Sequence, residues 1–134
     1  MTEAADVVRA LCDAINADDG KRIADLFDPD VVMYGTRGGI DQDRVFRGRQ
    51  ALLDYWREVG GTWDSYRIEL EHVIEGDDVA VAFWHEIARS PHSDVDIETG
   101  TASVYRVRDG KIVEQRGYVD RDEALRAAGV RSSA

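Results

Sequence analysis

The sequence contains a single cysteine, Cys12, and only two prolines among its 134 residues. One thiol cannot form an internal disulfide, which excludes a secreted scaffold held together by disulfides. Cys12 also has no nearby Cys or His that could share a metal ion with it. Because it lies in an apolar helical pattern, we expect it to serve in packing.

Basic charge and long apolar runs are also scarce. The chain has 17 Lys and Arg against 27 Asp and Glu, a formal net charge of −10 at pH 7. Since phosphate contacts need clustered basic residues, we expect no nucleic-acid partner. No apolar run approaches the roughly 18 residues of a membrane span. The acidic N-terminus lacks the apolar core of a signal peptide, so we expect a cytoplasmic protein with no membrane partner.

The composition is that of a globular protein, with 43% hydrophobic and 33% charged residues. Its length suits one domain over residues 1–134. In the first half, apolar residues recur every three or four positions, which predicts helices. These helices cover residues 3–17, the segment that ends at Pro29, and residues 49–59 with Gly60-Gly61 as the stop. Residues 30–36 are rich in β-formers and predict a strand, followed by a polar loop.

In the second half the apolar period changes from 3.6 to 2, which predicts strands. The strands cover residues 66–75, 79–89, 99–108 and 111–119. Asp109-Gly110 is a hairpin turn of the kind that needs positive φ, and Asp120 is a helix cap before a last helix that Gly129 ends. The order predicts an α+β fold in which helices pack on one face of a curved, mainly antiparallel sheet.

Three segments carry a family resemblance: FDPDVVMYG, FRGRQALLDYW and GKIVEQRGYVDRDEAL. With this order of elements, the chain resembles the nuclear transport factor 2-like superfamily. It is most similar to the SnoaL-like branch, which includes polyketide cyclases, ketosteroid isomerase and limonene epoxide hydrolase. The resemblance implies a cone: a bent sheet wraps three helices from the N-terminal half, a short helix closes the chain, and an apolar cavity opens at the wide end. It also implies a homodimer formed through the outer face of the sheet.

The resemblance further implies where catalytic groups would lie. In the epoxide hydrolase branch, an Arg and an Asp on a central strand fall on Trp84 and Glu86, and a second Asp falls on Gly117. In the isomerase branch the catalytic Asp falls near Gly35. Only the acid at position 86 is retained, as a glutamate. Gly117 therefore has two interpretations: the cavity needs room or curvature there, or the acid is lost together with its chemistry.

Glu86 is the main catalytic candidate. It shares a strand face with Trp84 and three alanines, so it would enter an apolar pocket if that face is concave. A carboxylate in an apolar cleft is a candidate general acid or base. The alternative is a structural ion pair with Arg106 or Arg116.

Tyr34 is the second catalytic candidate. It sits on the first strand, where the resemblance places a pocket tyrosine whose phenol would bind a substrate oxygen. The alternative is a tyrosine of the core.

Other residues are candidates for binding substrate. Trp56 and Trp84 would form opposite walls of the pocket, and Arg37 lies at the expected cavity mouth before two glycines that could move as a lid. His72 shares phase with Ile68 and Leu70, so it either faces the cavity or is structural. With Gly117, these complete the predicted binding set.

The other two histidines have no expected role in the pocket. We expect His85 on the outer, dimer-facing side and His92 in a solvated loop. The three histidines lack metal-ligand spacing, so no metal site is predicted.

Two functions fit the sequence. The first is a cofactor-free enzyme that performs acid–base chemistry on a mostly apolar small molecule by isomerisation, cyclisation, dehydration or epoxide opening. The second is a module that binds a ligand or dimerises without catalysis. The fold does not choose between them, whereas the partner of Glu86 does: an unpaired carboxylate favours the enzyme and an arginine partner favours the binder.

Overall fold

The computed structural model describes residues 3–39, 42–62, 65–91 and 95–129, so His92 lies outside the described residues. Within these ranges the elements are α1 (Glu3–Asn16), α2 (Gly20–Asp25), β1 (Phe27–Arg37), β2 (Val45–Arg47), α3 (Arg49–Thr62), β3 (Ser65–Gly76), β4 (Val79–Arg89), β5 (Asp96–Arg108), β6 (Lys111–Tyr118) and α4 (Arg121–Ala128). None of these helices is both long enough and apolar enough to cross a membrane.

The six strands form one sheet in the order β2-β1-β6-β5-β4-β3. The pair β1 and β6 is parallel, and the other neighbours are antiparallel. Strand β6 therefore lies beside β1, and β2 and β3 are the two edge strands. This mixed sheet with its helices confirms the predicted α+β fold.

The inner face of the sheet carries the larger core. Helix α1 contacts β3, β4 and β5, and helix α3 contacts β1 and β2. The fully buried side chains at this interface include Leu11 of α1, Leu52 of α3, and Phe27 and Ile112 of the sheet. Burying a side chain of this size stabilises a fold by about 1.5–3 kcal/mol, so these contacts fix the helices over the inner face.

The outer face carries a smaller core beneath α4. Ala124 and Leu125 of α4 pack with Val81, Val104 and other apolar residues of β4–β6. Helices therefore lie on both faces of the sheet, and the prediction that they pack on one face is wrong for α4. The sequence had shown the apolar stripe of α4 but not the side on which the chain would turn after β6.

Local signals at the second hairpin and last helix are confirmed. Asp109 and Gly110 both have positive φ, 53° and 77°, as the two-residue turn requires. The Asp120 side chain accepts hydrogen bonds from the backbone N–H groups of Asp122 and Glu123. Gly129 ends α4 in the left-handed conformation with φ 72°.

Several boundaries in the first half differ from the prediction. Helix α2 ends at Asp25, and β1 begins at Phe27 and includes Pro29. The segment predicted as loop contains β2, which pairs with β1. Helix α3 continues to Thr62, because the two glycines lower helix stability by about 1 kcal/mol each but do not block the next hydrogen bond as proline does.

Asn16, the last residue of α1, attaches this helix to the edge strand β3. Its Nδ2 donates to the Ile68 carbonyl at 2.8 Å, and its Oδ1 accepts from the Ile68 N–H at 2.9 Å. Because β3 is an edge strand, these backbone groups have no further strand to pair with. One amide side chain therefore satisfies both groups of a buried residue.

We predict that Asn16→Ala destabilises the protein by about 2 kcal/mol, since it leaves the Ile68 N–H without its side-chain partner and the Ile68 carbonyl with only the weak contact of Cys12 Sγ at 3.9 Å. Chemical denaturation followed by circular dichroism measures this. Asp13→Ala, an exposed change on the same helix, should cost less than about 0.5 kcal/mol. Equal stability of Asn16→Ala and Asp13→Ala would show that Asn16 does not hold α1 to the sheet.

Candidate functional site

A cavity of about 390 Å³ lies between the inner face of the sheet and helices α1 and α3. This volume is in the range of small-molecule sites. Its aromatic lining consists of Tyr34, Tyr55, Trp56, Tyr66, Trp84 and Tyr105. Trp56 and Trp84, the two predicted wall residues, are therefore both at the cavity.

Glu86 lies in this cavity and is held by two hydroxyl groups. Tyr66 on β3 donates to its Oε1 at 2.5 Å, and Thr101 on β5 donates to its Oε2 at 2.9 Å. Both partners sit on strands that flank β4, diagonally across from Glu86, where long side chains meet. The strand face predicted for Glu86 is confirmed by the burial of Ala80, Ala82 and Trp84 in the inner core.

Neither arginine proposed as an ion-pair partner reaches Glu86. Arg106 pairs with Glu114 at 3.3 Å, and the Arg116 guanidinium lies 3.9 Å from the centre of the Tyr34 ring. In the part of the chain that the structure describes, the Glu86 carboxylate accepts hydrogen bonds from two neutral hydroxyl groups and contacts no basic side chain.

Tyr66 is a site residue that the sequence reasoning missed. Burial raises the pKa of Tyr66, and the negative charge and hydrogen bond of Glu86 raise it further. The phenol therefore stays protonated at neutral pH and acts as a donor to the carboxylate. The signal was present in the sequence, since Tyr66 shares the inner face with Ile68 and lies on the strand that pairs with the Glu86 strand.

Tyr105 packs against Trp84, which forms the wall of the cavity on the sheet side. It is 2% exposed, and its ring meets Trp84 edge-on with centroids 6.5 Å apart. Burial raises the pKa of Tyr105, while hydrogen bonds with the side chains of Ser103 and Trp84 act in the other direction. These contacts fix the Trp84 ring beside Glu86.

Two buried polar atoms of the described residues have no hydrogen-bond partner, and both belong to residues that line the cavity. They are Nε1 of Trp56, on α3, and Oε1 of Gln115, on β6. Gln115 pairs in register with Tyr105 and Met33 of the inner core, which places it on the inner face. Buried polar groups are normally paired, so these two atoms are exceptions among the buried polar atoms of the described residues.

Gly117 lines the cavity opposite Thr36 of β1. A Cβ atom built on Gly117 would lie 2.8 Å from Thr36 Oγ1, closer than two such atoms can approach. The register of β1 and β6 shifts here, so that two residues of β1 face one of β6. Position 117 is therefore a glycine because the Thr36 side chain occupies the space that a Cβ atom would need.

Tyr34 borders the cavity, but its ring is engaged elsewhere. Tyr34 pairs in register with Arg116, which pairs in turn with Val104 of the outer core. The Arg116 guanidinium stacks on the Tyr34 ring. The phenol in contact with Glu86 is that of Tyr66, not Tyr34.

Two predicted binding residues lie away from the cavity. Arg37 is exposed and forms an ion pair with Glu123 of α4. The prediction that His72 shares the face of Ile68 and Leu70 is wrong, because the register of β3 shifts between Leu70 and His72. This bulge leaves Glu71 unpaired and turns His72 to the outer face, where its ring lies 6.2 Å from Phe83.

His85 faces outward as predicted and is hydrogen-bonded. Its Nε2 lies 2.8 Å from Glu98 Oε1, and its Nδ1 lies 4.0 Å from Glu71 Oε1. The hydrogen bond with Glu98 is the main cause that raises the pKa of His85. Glu71 is bonded to Arg121 of α4, which lowers the pKa of Glu71. These charges lie on the face opposite the cavity.

A SnoaL-like domain model matches residues 8–115. The chain therefore belongs to the SnoaL-like family. Comparison with curated proteins finds no match.

Solved structures share the fold at low sequence identity. A protein with a ketosteroid isomerase-like fold from Catenulispora acidiphila DSM 44928, in complex with trimethylamine, has a TM-score of 0.74, 13% identity and 93% coverage of both chains. An LEH-like epoxide hydrolase of M. tuberculosis has a TM-score of 0.73 and 17% identity, covering 94% of this chain and 89% of its own. TerC, co-crystallised with polyporic acid, has a TM-score of 0.77 and 17% identity, covering 93% and 99%.

We predict that Gly117→Ala destabilises the protein by about 2 kcal/mol, because the new methyl group overlaps Thr36 Oγ1. In the Thr36→Ala background the same change should cost about half as much or less, since the nearest atom is removed. Thermal and chemical denaturation of the four proteins measures the coupling. Equal costs in both backgrounds would mean that Thr36 is not the reason for the glycine.

We predict that Glu98→Gln lowers the pKa of His85 towards its ordinary value of about 6.5. Because the folded-state pKa is raised, the stabilisation from this contact is present below pH 6.5 and is lost as the pH rises through the folded-state value. NMR titration of the histidine ring protons measures the shift. Asp96→Asn, which removes a carboxylate of β5 paired with Arg89, serves as the control and should leave His85 unchanged. An equal shift in both variants would contradict the assignment.

Proposed function

We propose that this SnoaL-like protein is a cofactor-free enzyme that performs acid–base chemistry on a mostly apolar small molecule. Glu86 carries the proton. The observation that supports this most is the cavity carboxylate itself: it faces an aromatic-lined space and is bound by two hydroxyl donors rather than by an arginine.

The contacts of Glu86 suit a general base. The donors on Oε1 and Oε2 fix the direction of the carboxylate, and each oxygen keeps a further lone pair for a substrate proton. An ion pair with arginine would instead oppose proton uptake. After accepting a proton, the acid can return it to another atom of the same substrate, which is the basis of isomerisation, cyclisation and dehydration. Opening of an epoxide needs the same carboxylate to activate water.

The walls suit an apolar skeleton. Trp56 on α3 and Trp84 on β4 border the cavity from the helix side and the sheet side. Members of the same fold have been crystallised with trimethylamine and with polyporic acid, which supports a small molecule in this space. The homodimer, the cytoplasmic location, and the absence of nucleic-acid and membrane partners stay predictions.

The alternative is a protein that binds its ligand without changing it. Gly117 favours this alternative, because the resemblance places a catalytic acid there and Thr36 leaves no room for one. On this alternative Glu86 would only anchor a polar group of the ligand.

We predict that Glu86→Gln lowers kcat by about 10²–10⁴-fold, the usual contribution of a positioned acid or base, on a substrate found by screening epoxides and enolisable carbonyl compounds. Folding and ligand affinity should be kept, since glutamine has the same shape: its carbonyl oxygen accepts from one hydroxyl, and its NH2 group donates to the oxygen of the other once that hydroxyl turns. Steady-state kinetics and direct binding measure both. Glu98→Gln, the same change at an exposed residue on the outer face, is the matched control and should turn over normally. Unchanged turnover in Glu86→Gln would rule out the proposed role.

A further inference from the structure

Arg121, the first residue of α4, contacts two strands on the outer face of the sheet. Its Nη2 donates to Glu71 Oε1 on β3 at 2.8 Å, and its Nη1 donates to Glu71 Oε2 at 3.5 Å. Nη2 also donates to the backbone carbonyl of Trp84 on β4 at 3.3 Å. The guanidinium lies 4.8 Å from the centre of the Phe83 ring. One side chain of α4 therefore holds groups of β3 and β4 together.

This contact lies at the bulge of β3. The register with β4 shifts between Leu70 and His72, so Glu71 has no partner on β4. A bulge interrupts the hydrogen-bonded ladder between two strands, and the edge strand β3 has β4 as its single neighbour in the described sheet. Arg121 binds the bulged residue and the facing strand at once. It therefore joins β3 to β4 where their own ladder is interrupted.

Gly100 of β5 leaves room for the guanidinium. A Cβ atom at this position would lie 3.4 Å from Arg121 Nη2 and 4.0 Å from the Trp84 carbonyl oxygen. A larger side chain here would compete with Arg121 for the same space. Glycine inside a strand often marks a close approach by another group, so Gly100 and Arg121 form one arrangement around the Trp84 carbonyl.

The backbone held in this way carries cavity residues on its other face. The Trp84 ring lines the cavity, and Trp84 pairs in register with Thr101 of β5. The Thr101 hydroxyl donates to Glu86 at 2.9 Å, and Glu86 follows Trp84 on the same face of β4. A displacement of the Trp84 backbone would therefore move the aromatic wall and one support of the carboxylate together.

Arg121 and Asn16 hold β3 on either side of the segment that faces the carboxylate. Asn16 bonds both backbone groups of Ile68, and Ile68 pairs in register with Glu86. Arg121 bonds Glu71, further along the same strand, from the outer face. The side chains of Arg121 and Glu71 are 35% and 42% exposed, so their ion pair by itself contributes little stability. Its main effect is on the relative position of the strands.

We propose that Arg121 is a positioning residue of the cavity: from the outer face it fixes the backbone at Trp84, and through that backbone it sets the position of the Trp84 ring and the Glu86 carboxylate. The role of Arg121 in the reaction rests on the proposed function of Glu86. Arg121 is not among the described residues that line the cavity, so it acts through the strand and not on the substrate. A misplacement of about 1 Å can lower a rate about 100-fold, which makes such a role measurable.

The ¹⁵N–¹H NMR signals of the indole groups test the positioning without a substrate. The Trp84 side chain is hydrogen-bonded with Tyr105, so its indole signal reports the place of the ring. Trp84→Phe assigns this signal, and the indole of Trp56 on α3 is the internal reference. We expect Arg121→Gln to move the Trp84 signal and to leave the Trp56 signal in place. Circular dichroism checks that the variant folds.

Glu123→Gln is the matched control. It removes the other ion pair of α4, that with Arg37, by a change of the same kind in the same helical turn, so the Trp84 signal should stay. Glu71→Gln leaves α4 unchanged and should move the Trp84 signal in the same direction as Arg121→Gln, which keeps the test valid if Arg121→Gln does not fold. A Trp84 signal that stays in both of these variants, or that moves equally in Glu123→Gln, overturns the proposal.

Turnover separates this inference from the proposed function. On a substrate found by the screen, Arg121→Gln should lower kcat about 10- to 100-fold with little change in KM, because a displaced base weakens binding of the transition state alone. If Glu86→Gln loses turnover while Arg121→Gln neither moves the Trp84 signal nor lowers kcat, the positioning role is wrong and the proton-transfer role stands. If Arg121→Gln moves the signal while Glu86→Gln turns over normally, the positioning of Trp84 stands and the proton-transfer role is wrong.

Discussion

The candidate site depends on one contact: the Glu86 carboxylate held between the hydroxyls of Tyr66 and Thr101. Three adjacent strands, β3, β4 and β5, must be in register for these side chains to meet. Strand β3 is at the edge of the sheet, and Asn16 fixes it to α1 through both backbone groups of Ile68. The geometry of the carboxylate is therefore set by the packing of the first helix on the sheet, far along the chain from Glu86.

Much of the fold followed from the sequence, because it is encoded by local patterns. The change of apolar period from 3.6 to 2, the Asp109-Gly110 turn and the cap at Asp120 each has a direct physical cause. The alternation along β4 placed Glu86 and Trp84 on the inner face correctly. What local patterns could not provide was the short strand β2, the side of the sheet that α4 covers, and the continuation of α3 through its two glycines. The first two depend on tertiary contacts, whereas the third reflects that glycine weakens a helix without blocking its hydrogen bonds.

The alternation of residues along a strand no longer predicts which face each residue occupies once the strand contains a bulge. The irregularity after Leu70 changes the face of every later residue of β3, so His72 points outward although it continues the alternation of Ile68 and Leu70. A second shift, between β1 and β6, brings Thr36 against Gly117. Contacts between distant residues were likewise invisible in the sequence. The unpaired atoms of Trp56 and Gln115 and the Arg116 guanidinium on Tyr34 belong to this group.

The central claim is that Glu86 takes a proton from a carbon acid bound in the cavity. Hydrogen–deuterium exchange at the acetyl methyl group of 4-(hydroxymethyl)acetophenone, followed by NMR in D₂O, tests this claim without knowledge of the natural substrate. The account predicts exchange that rises in proportion to the protein concentration and exceeds that of buffer with an equal concentration of free glutamate. Exchange at the buffer rate, with the ketone bound, would contradict it.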